Sequence, residues 1–406
     1  MEFRSWKGFC LCDLGGGFPP EASAVDVPFA PLVFLVLRDP LKSRGCFTVE
    51  NTAQIMEPEN ACALLPNEAP AALPELETFV REKGATVLNT AFVRAFDHLA
   101  RPQKKSGLTA TLVGLGDVGG TLLIALKLLG RELSRIAIYD PNEALCRRYE
   151  VELNQVLPPD GAPLPEIAIC SQERLFDCDL FLFTASRGVP PVGSDVQDVR
   201  MAQFVRNREM LAGYARRARE AAFGGLFCQI SDPVDQLCRA VFLESNRDAS
   251  GAFDAAGLLP EQVRGFGLGV MAARAAYHAK KDGIDFSGGR VYGPHGADLI
   301  VANHPQNYDE ALSARLTQET VTANLRVREL GFKPYIAPAL SSAAVSLLRL
   351  VRGEVCCSAI PMGGAYFGCR SRTTSAGILT QREALHPALF RKIEEVQQRL
   401  ERFSYD

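Results

Sequence analysis

The chain has 406 residues, of which 47% are hydrophobic and 22% charged, with a formal net charge of -3. That length allows two or three compact domains, and the balance is that of an ordinary globular protein. With no dense run of Lys and Arg beyond pairs such as Lys104-Lys105, nothing in the charge pattern points to a nucleic-acid surface.

The opening residues carry charge at Glu2, Arg4 and Lys7, and no long apolar segment follows, so no secretory signal is expected. The most apolar early stretch, Val27 to Leu37, is short and holds two prolines. A membrane-spanning helix needs about 20 apolar residues, so this reads as a core segment or strand and the protein as cytoplasmic, with no membrane partner. Glycine and proline punctuate the first hundred residues at Gly15-Gly16-Gly17, Pro19-Pro20 and Asn67 to Pro74. Helices are predicted over Leu73 to Lys83 and around Ala91 to Leu99. Residues 1–106 read as an N-terminal extension: a small α/β cap, a subunit-contact arm, or a partly disordered segment. The polar stretch Arg101 to Gly107 marks its boundary.

From residue 107 the pattern changes. Short apolar strands are predicted at Leu108 to Val113, Arg135 to Tyr139, Glu166 to Cys170, Leu180 to Thr184 and Gly225 to Ile230, with helices between them, the first at Thr121 to Leu129. Such alternation implies right-handed crossovers and a parallel sheet. Residues 107–245 are expected to form a Rossmann-type doubly wound domain. Residues 246–406, with strands near Val291 and Val355 and long helices at Asp309 to Leu330 and His386 to Phe403, are expected to form a mixed α+β domain. The twelve cysteines show no C-x-x-C pair, and the five histidines have no ligand spacing with one another. Reduced, mostly buried thiols and no metal are expected.

Gly114-Leu115-Gly116-Asp117-Val118-Gly119 fits G-x-G-x-x-G between a predicted strand and helix, and Asp140 closes the next strand. In this pattern Gly114 permits the tight turn, Gly116 lets a pyrophosphate approach the backbone, and Gly119 lets helix and strand pack closely. The phosphates would sit on the positive helix N-terminus. Asp140 would accept hydrogen bonds from the adenosine ribose and repel a 2′-phosphate, which favours NAD over NADP.

From here the chain resembles the lactate/malate dehydrogenase superfamily, the NAD-dependent L-2-hydroxyacid dehydrogenases. The likeness covers Leu108 to the C-terminus and rests on ordered landmarks. These are the glycine motif, Asp-Cys-Asp-Leu-Phe-Leu-Phe-Thr-Ala at 177–185, Arg200 with Arg206-Asn207, Ser231-Asp232-Pro233-Val234-Asp235, Gly293-Pro294-His295-Gly296 and Pro361-Met362-Gly363-Gly364. The resemblance implies hydride transfer between a bound NAD and a hydroxyl or carbonyl substrate, with Thr184 and Ala185 also lining the cofactor. It implies His295 as the acid/base, since imidazole titrates near neutrality. It implies Arg200 as the cation that closes on the substrate and polarises its carbonyl. The loop Ser186 to Val199 looks longer than the family's, which makes Arg187 a competitor for that role. A dimer or tetramer is implied as well.

The chain also departs from the family. Asp232 stands where an Asn is usual and, when ionised, can only accept hydrogen bonds. Aligned through Gly265, Gly267 and Arg274, Met271 takes the place of the acid that orients the histidine, and Ala276 that of the arginine that clamps the substrate carboxylate. Arg274 is either that arginine or its neighbour. Two replacements suggest themselves: Asp232 reaching His295, and Lys333 supplying a relocated positive charge. The alternative reading is a catalytically degenerate NAD-binding sensor or scaffold.

Overall fold

The computed structural model describes residues 1–405 except 103, 105, 188–198 and 375–376, with backbone alone for 199–202. The first hundred residues form β1 (Phe3–Trp6), β2 (Phe9–Asp13), β3 (Ser23–Val25), β4 (Leu32–Val36), β5 (Cys46–Val49), α1 (Pro74–Lys83), β6 (Ala85–Asn89) and α2 (Ala95–Ala100). The sequence announced only β4 among these strands. Cys10 and Cys12 pack as small apolar side chains in β2, and every residue of β6 is buried.

The alternating region gives β7 (Leu108–Val113), α3 (Asp117–Leu129), β8 (Leu133–Tyr139), α4 (Glu143–Asn154), β9 (Glu166–Ile169), β10 (Leu180–Phe183), α5 (Val199–Glu220), β11 (Leu226–Gln229), α6 (Val234–Ser245) and β12 (Val263–Gly265). Strands β7 and β10 are nearly wholly buried apolar runs, as strands covered on both faces must be. Parallel pairing in the order β9-β8-β7-β10-β11-β12 is the doubly wound dinucleotide-fold order 3-2-1-4-5-6. The sixth strand comes from beyond residue 245, so the division drawn there from the sequence cuts through the sheet. Val263-Arg264-Gly265 is too short and too polar to announce itself.

The remainder contains α7 (Leu268–Lys281), β13 (Arg290–Tyr292), β14 (Ile300–Ala302), α8 (Glu310–Glu329), a π-helical segment Pro338–Val345 running into α9 (Ser346–Val351), β15 (Cys356–Met362), β16 (Ala365–Thr374), β17 (Gly377–Thr380) and α10 (Pro387–Glu401). Strand β15 pairs antiparallel with β12, and β16 and β17 follow. Strand β17 then meets β5, and the sheet continues through β6, β4, β2, β1 and β3. Among the described residues, fifteen strands thus form one sheet.

The N-terminal residues are therefore a continuation of the main sheet. One hydrophobic cluster joins Trp6, Leu35, Leu88 and Phe92 to Phe181, Phe227 and Phe242. A buried bidentate pair, Arg382 to Glu57 at 2.7 and 2.6 Å, ties the segment after β17 to the turn after β5. No helix among the described residues is long and apolar enough to cross a membrane.

Candidate active site

The glycine turn between β7 and α3 is built for close approach. Gly114 has φ +94°, a conformation that favours glycine, and a Cβ there would lie 2.6 Å from the Ala185 backbone nitrogen. A Cβ at Gly119 would overlap the Gly114 carbonyl oxygen and come 2.6 Å from Thr184 Oγ1. At Gly116, the N-cap of α3, a Cβ would meet nothing within 4 Å. Tight packing on two glycines and open space at the third is the shape that leaves room for a diphosphate on the helix N-terminus.

Asp140 follows β8 and accepts Leu115 N–H at 2.8 Å through one oxygen and Asn142 N–H at 2.9 Å through the other. Each oxygen keeps a lone pair for a sugar hydroxyl. Thr184 Oγ1 donates to the Val113 and Gly114 carbonyls at 3.0 and 2.7 Å, which fastens β10 to the turn. Val118 packs against the core under α3. These residues fit a dinucleotide. Asp117, at the first position of α3, pairs with Lys333 at 2.9 Å, both side chains being exposed. Lys333 is thus held at the glycine turn.

Asp232 and His295 come together. Their side chains meet at 2.9 Å, His295 Nδ1 to Asp232 Oδ1. Burial disfavours the imidazolium, but the charge and hydrogen bond of Asp232, with help from Asp235, outweigh it and raise the His295 pKa above its ordinary value. Asp235, in the first turn of α6, is almost fully buried and accepts the His295 backbone N–H at 3.0 Å. Burial pushes its pKa up to about 7, against the opposing pull of that hydrogen bond and of His295. Gly267 completes the seat: a Cβ there would lie 2.7 Å from the His295 Cβ. The role of Asp235 went unnoticed in the sequence, although the residue belongs to a motif that was singled out.

Met271 is buried, and its sulfur lies 3.8 Å from Arg274 Nη1. Arg274, one helical turn on, lies near enough to His295 to oppose its charging and to Asp232 to be held charged by it, although burial lowers its pKa overall. Among the described residues no carboxylate stands within ion-pair distance of Arg274. Ala276 is exposed and lines a shallow recess with Lys280 and Phe286 on another face of α7. The arginine that faces the histidine is therefore at 274.

Arg187 donates its backbone N–H to Asn207 Oδ1 at 3.0 Å, and its guanidinium pairs with exposed Glu209 at 3.2 Å. Asn207 is fully buried and donates to the Asp232 carbonyl at 2.7 Å, tying α5 to the turn that carries Asp232. Arg200 lies in the first turn of α5, and its side chain is outside the described residues. Among the described residues no group of three His, Cys, Asp or Glu is placed to hold a metal ion.

No family model matches the chain. An L-lactate dehydrogenase of Treponema denticola is 29% identical over 195 residues, which is 47% of this chain and 56% of that protein, so the match spans about half of that relative's length. A minor L-lactate dehydrogenase from Enterococcus mundtii has a similar structure, with a TM-score of 0.59 at 17% identity, covering 73% of this chain and 97% of that one. The malate dehydrogenase from Archaeoglobus fulgidus, solved in complex with NADH, gives 0.59 at 16% identity over 72% and 97%. A lactate dehydrogenase from a Medee basin deep-sea metagenome library gives 0.58 at 16% over 73% and 97%. Over nearly three quarters of its length the chain thus has the fold of lactate and malate dehydrogenases, and over about half of its length its sequence is similar to that of an L-lactate dehydrogenase.

Proposed function

We propose that the chain is an NAD-dependent oxidoreductase that interconverts a hydroxyl and an oxo group on a small anionic substrate, with His295 as acid/base. The observation that carries this reading is the 2.9 Å contact between His295 and Asp232 in the crevice outside the carboxyl ends of the parallel strands. An ionised carboxylate only accepts, so Nδ1 carries the hydrogen and Nε2 is left for the substrate oxygen. In the oxidative direction Nε2 takes the hydroxyl proton, and the imidazolium that forms is stabilised by Asp232. In the reductive direction the same imidazolium returns a proton to the oxygen. When bound, the nicotinamide accepts or supplies the hydride.

Arg274 is suited to anchor the anionic group of the substrate, because a guanidinium presents two parallel donors to a carboxylate and here, among the described residues, has no carboxylate within ion-pair distance. A 2-oxo or 2-hydroxy acid fits that demand. Arg200 is assigned to polarising the substrate carbonyl by its place at the start of α5. Arg187 and Lys333 are each engaged by an acidic side chain, Glu209 and Asp117. The glycine turn and Asp140 would hold NAD in preference to NADP.

The test is to mix purified protein with NADH and a panel of 2-oxo acids and follow loss of NADH absorbance. Turnover that disappears in His295→Ala supports the assignment. NADH binding without turnover on any 2-oxo acid or ketone refutes it in favour of an NAD sensor.

A further inference from the structure

The opposite end of the parallel sheet holds a second cleft. About 690 Å³ in volume, it is lined by residues at the starts of the strands: Leu108 of β7, Leu180 of β10, Leu226 of β11 and, just before β12, Gln262. Helix α2 contributes His98 to one wall, and α9 contributes Leu350 to another. The volume lies in the range of small-molecule sites, roughly 300–1,000 Å³. The glycine turn, Asp140 and Asp232 all sit at the other ends of these strands, so this cleft is separate from the candidate active site.

Arg264 of β12 reaches this cleft. Its side chain is 99% buried (1% exposed), yet among the described residues no carboxylate lies within ion-pair distance of it. Two hydroxyls, Ser358 and Ser371, accept from Nη2 at 2.8 and 2.9 Å, and among the described residues Nε is buried without a hydrogen-bond partner. A guanidinium removed from water with neither counter-charge nor a full set of acceptors is costly. Across the cleft, His98 Nδ1 is also buried without a partner. Burial, with Arg101 and Arg94 nearby, pushes the His98 pKa down to about 4, so at neutral pH this ring is an uncharged hydrogen-bonding group.

We infer that this cleft is a binding site for an organic carboxylate with an apolar body, its carboxylate on Arg264 and its body along the leucines. The apolar lining argues for the body. The carboxylates of Asp179, Glu132 and Glu261 around the same cleft argue against a multiply charged anion, because each would repel it. The cations Arg101, Lys104 and Arg352 are already matched by Asp179 and Glu132. Arg264 is therefore the charge that an incoming anion would satisfy.

The test uses hexanoate as the probe, added to the full chain and followed by calorimetry and by thermal melting. The single tryptophan, Trp6, packs edge-on against Phe96 at 5.3 Å and gives an independent fluorescence signal on α2, the helix that carries His98. Hexanoate should bind with a rise in melting temperature, and Arg264→Met should weaken it by at least about tenfold. Without the probe, Arg264→Met should melt at or above the wild-type temperature, because a buried lone charge has been replaced by an apolar chain. The inference is overturned if hexanoate neither binds nor shifts the melt of the wild-type chain. It is also overturned if Arg264→Met binds hexanoate equally well, or if inorganic phosphate binds as tightly as hexanoate. If Arg264→Met fails to fold, Leu226→Glu, which puts a charge on the apolar wall, must abolish hexanoate binding; unchanged binding sinks the proposal.

Discussion

Gly119→Ala tests the dinucleotide cradle at a single atom. The added Cβ would overlap the Gly114 carbonyl and stand 2.6 Å from Thr184 Oγ1. Ordinary contact begins near 3.4 Å, so the helix must move about 0.8 Å to clear the Thr184 hydroxyl and further to clear the Gly114 carbonyl, which is backbone and cannot swing aside. A backbone hydrogen bond to a phosphate oxygen near 2.9 Å would stretch beyond about 3.5 Å and be lost. Each such bond to a charged group contributes about 1.5–3 kcal/mol, so losing two weakens NADH binding by roughly 10²–10⁴-fold. The overpacking itself should cost about 1–3 kcal/mol of fold stability. NADH fluorescence titration alongside thermal melting separates the two effects. A folded Gly119→Ala chain that binds NADH as tightly as wild type would show that the turn does not hold the dinucleotide.

Four further outcomes are expected. Asp232→Asn removes the charge that raises the His295 pKa, so the acidic limb of oxidation and the alkaline limb of reduction should both move to lower pH; pH–rate profiles that do not move would rule out the pairing. Asp140→Ser should improve NADPH relative to NADH by at least about tenfold in kcat/KM, read from initial rates with the two cofactors. Asp235→Asn concerns stability. The folded pKa of Asp235 is raised to about 7, so its contribution is full below the unfolded value near 4 and is lost as pH rises through 7. The variant should therefore gain on wild type as pH rises across that window, and parallel melts that keep a constant gap would disprove it. Glu57→Gln leaves Arg382 buried without its counter-charge and should cost about 3–5 kcal/mol in urea unfolding; an unchanged midpoint would contradict the buried pair.

The parallel strands were readable because they are nearly continuous apolar runs with helices between them, and β7 has the bounds expected from its composition. Apart from β4, the strands at residues 3–89 were not, because β1, β2, β5 and β6 are four or five residues long, lie between glycine and proline turns, and include cysteines that look like chemistry before they look like core. The meeting of Asp232 with His295 was foreseeable, since each sits in a motif of known order along the chain. The arginine register was not settled by the same means. Residues 271 and 274 share a helix face and 276 does not, yet only the packing of α7 shows which face looks toward the histidine. The buried charges of Arg264, Glu57 and Arg382 are invisible locally, because their partners lie far along the chain, 94 and 107 residues from Arg264 and 325 residues between Glu57 and Arg382.

The seam between β5 and β17 makes an early strand wait for one made much later. Thr48 and Thr374, whose hydroxyls meet at 2.8 Å, are 326 residues apart, and Glu57 and Arg382 are 325 apart. During synthesis, therefore, β5 exposes an unpaired edge until β17 has emerged, and over that interval the edge is open to strangers. Closing so long a span adds little to the equilibrium cost, because loop entropy grows only logarithmically, but it postpones maturation. The sheet cannot be completed before β17 has formed.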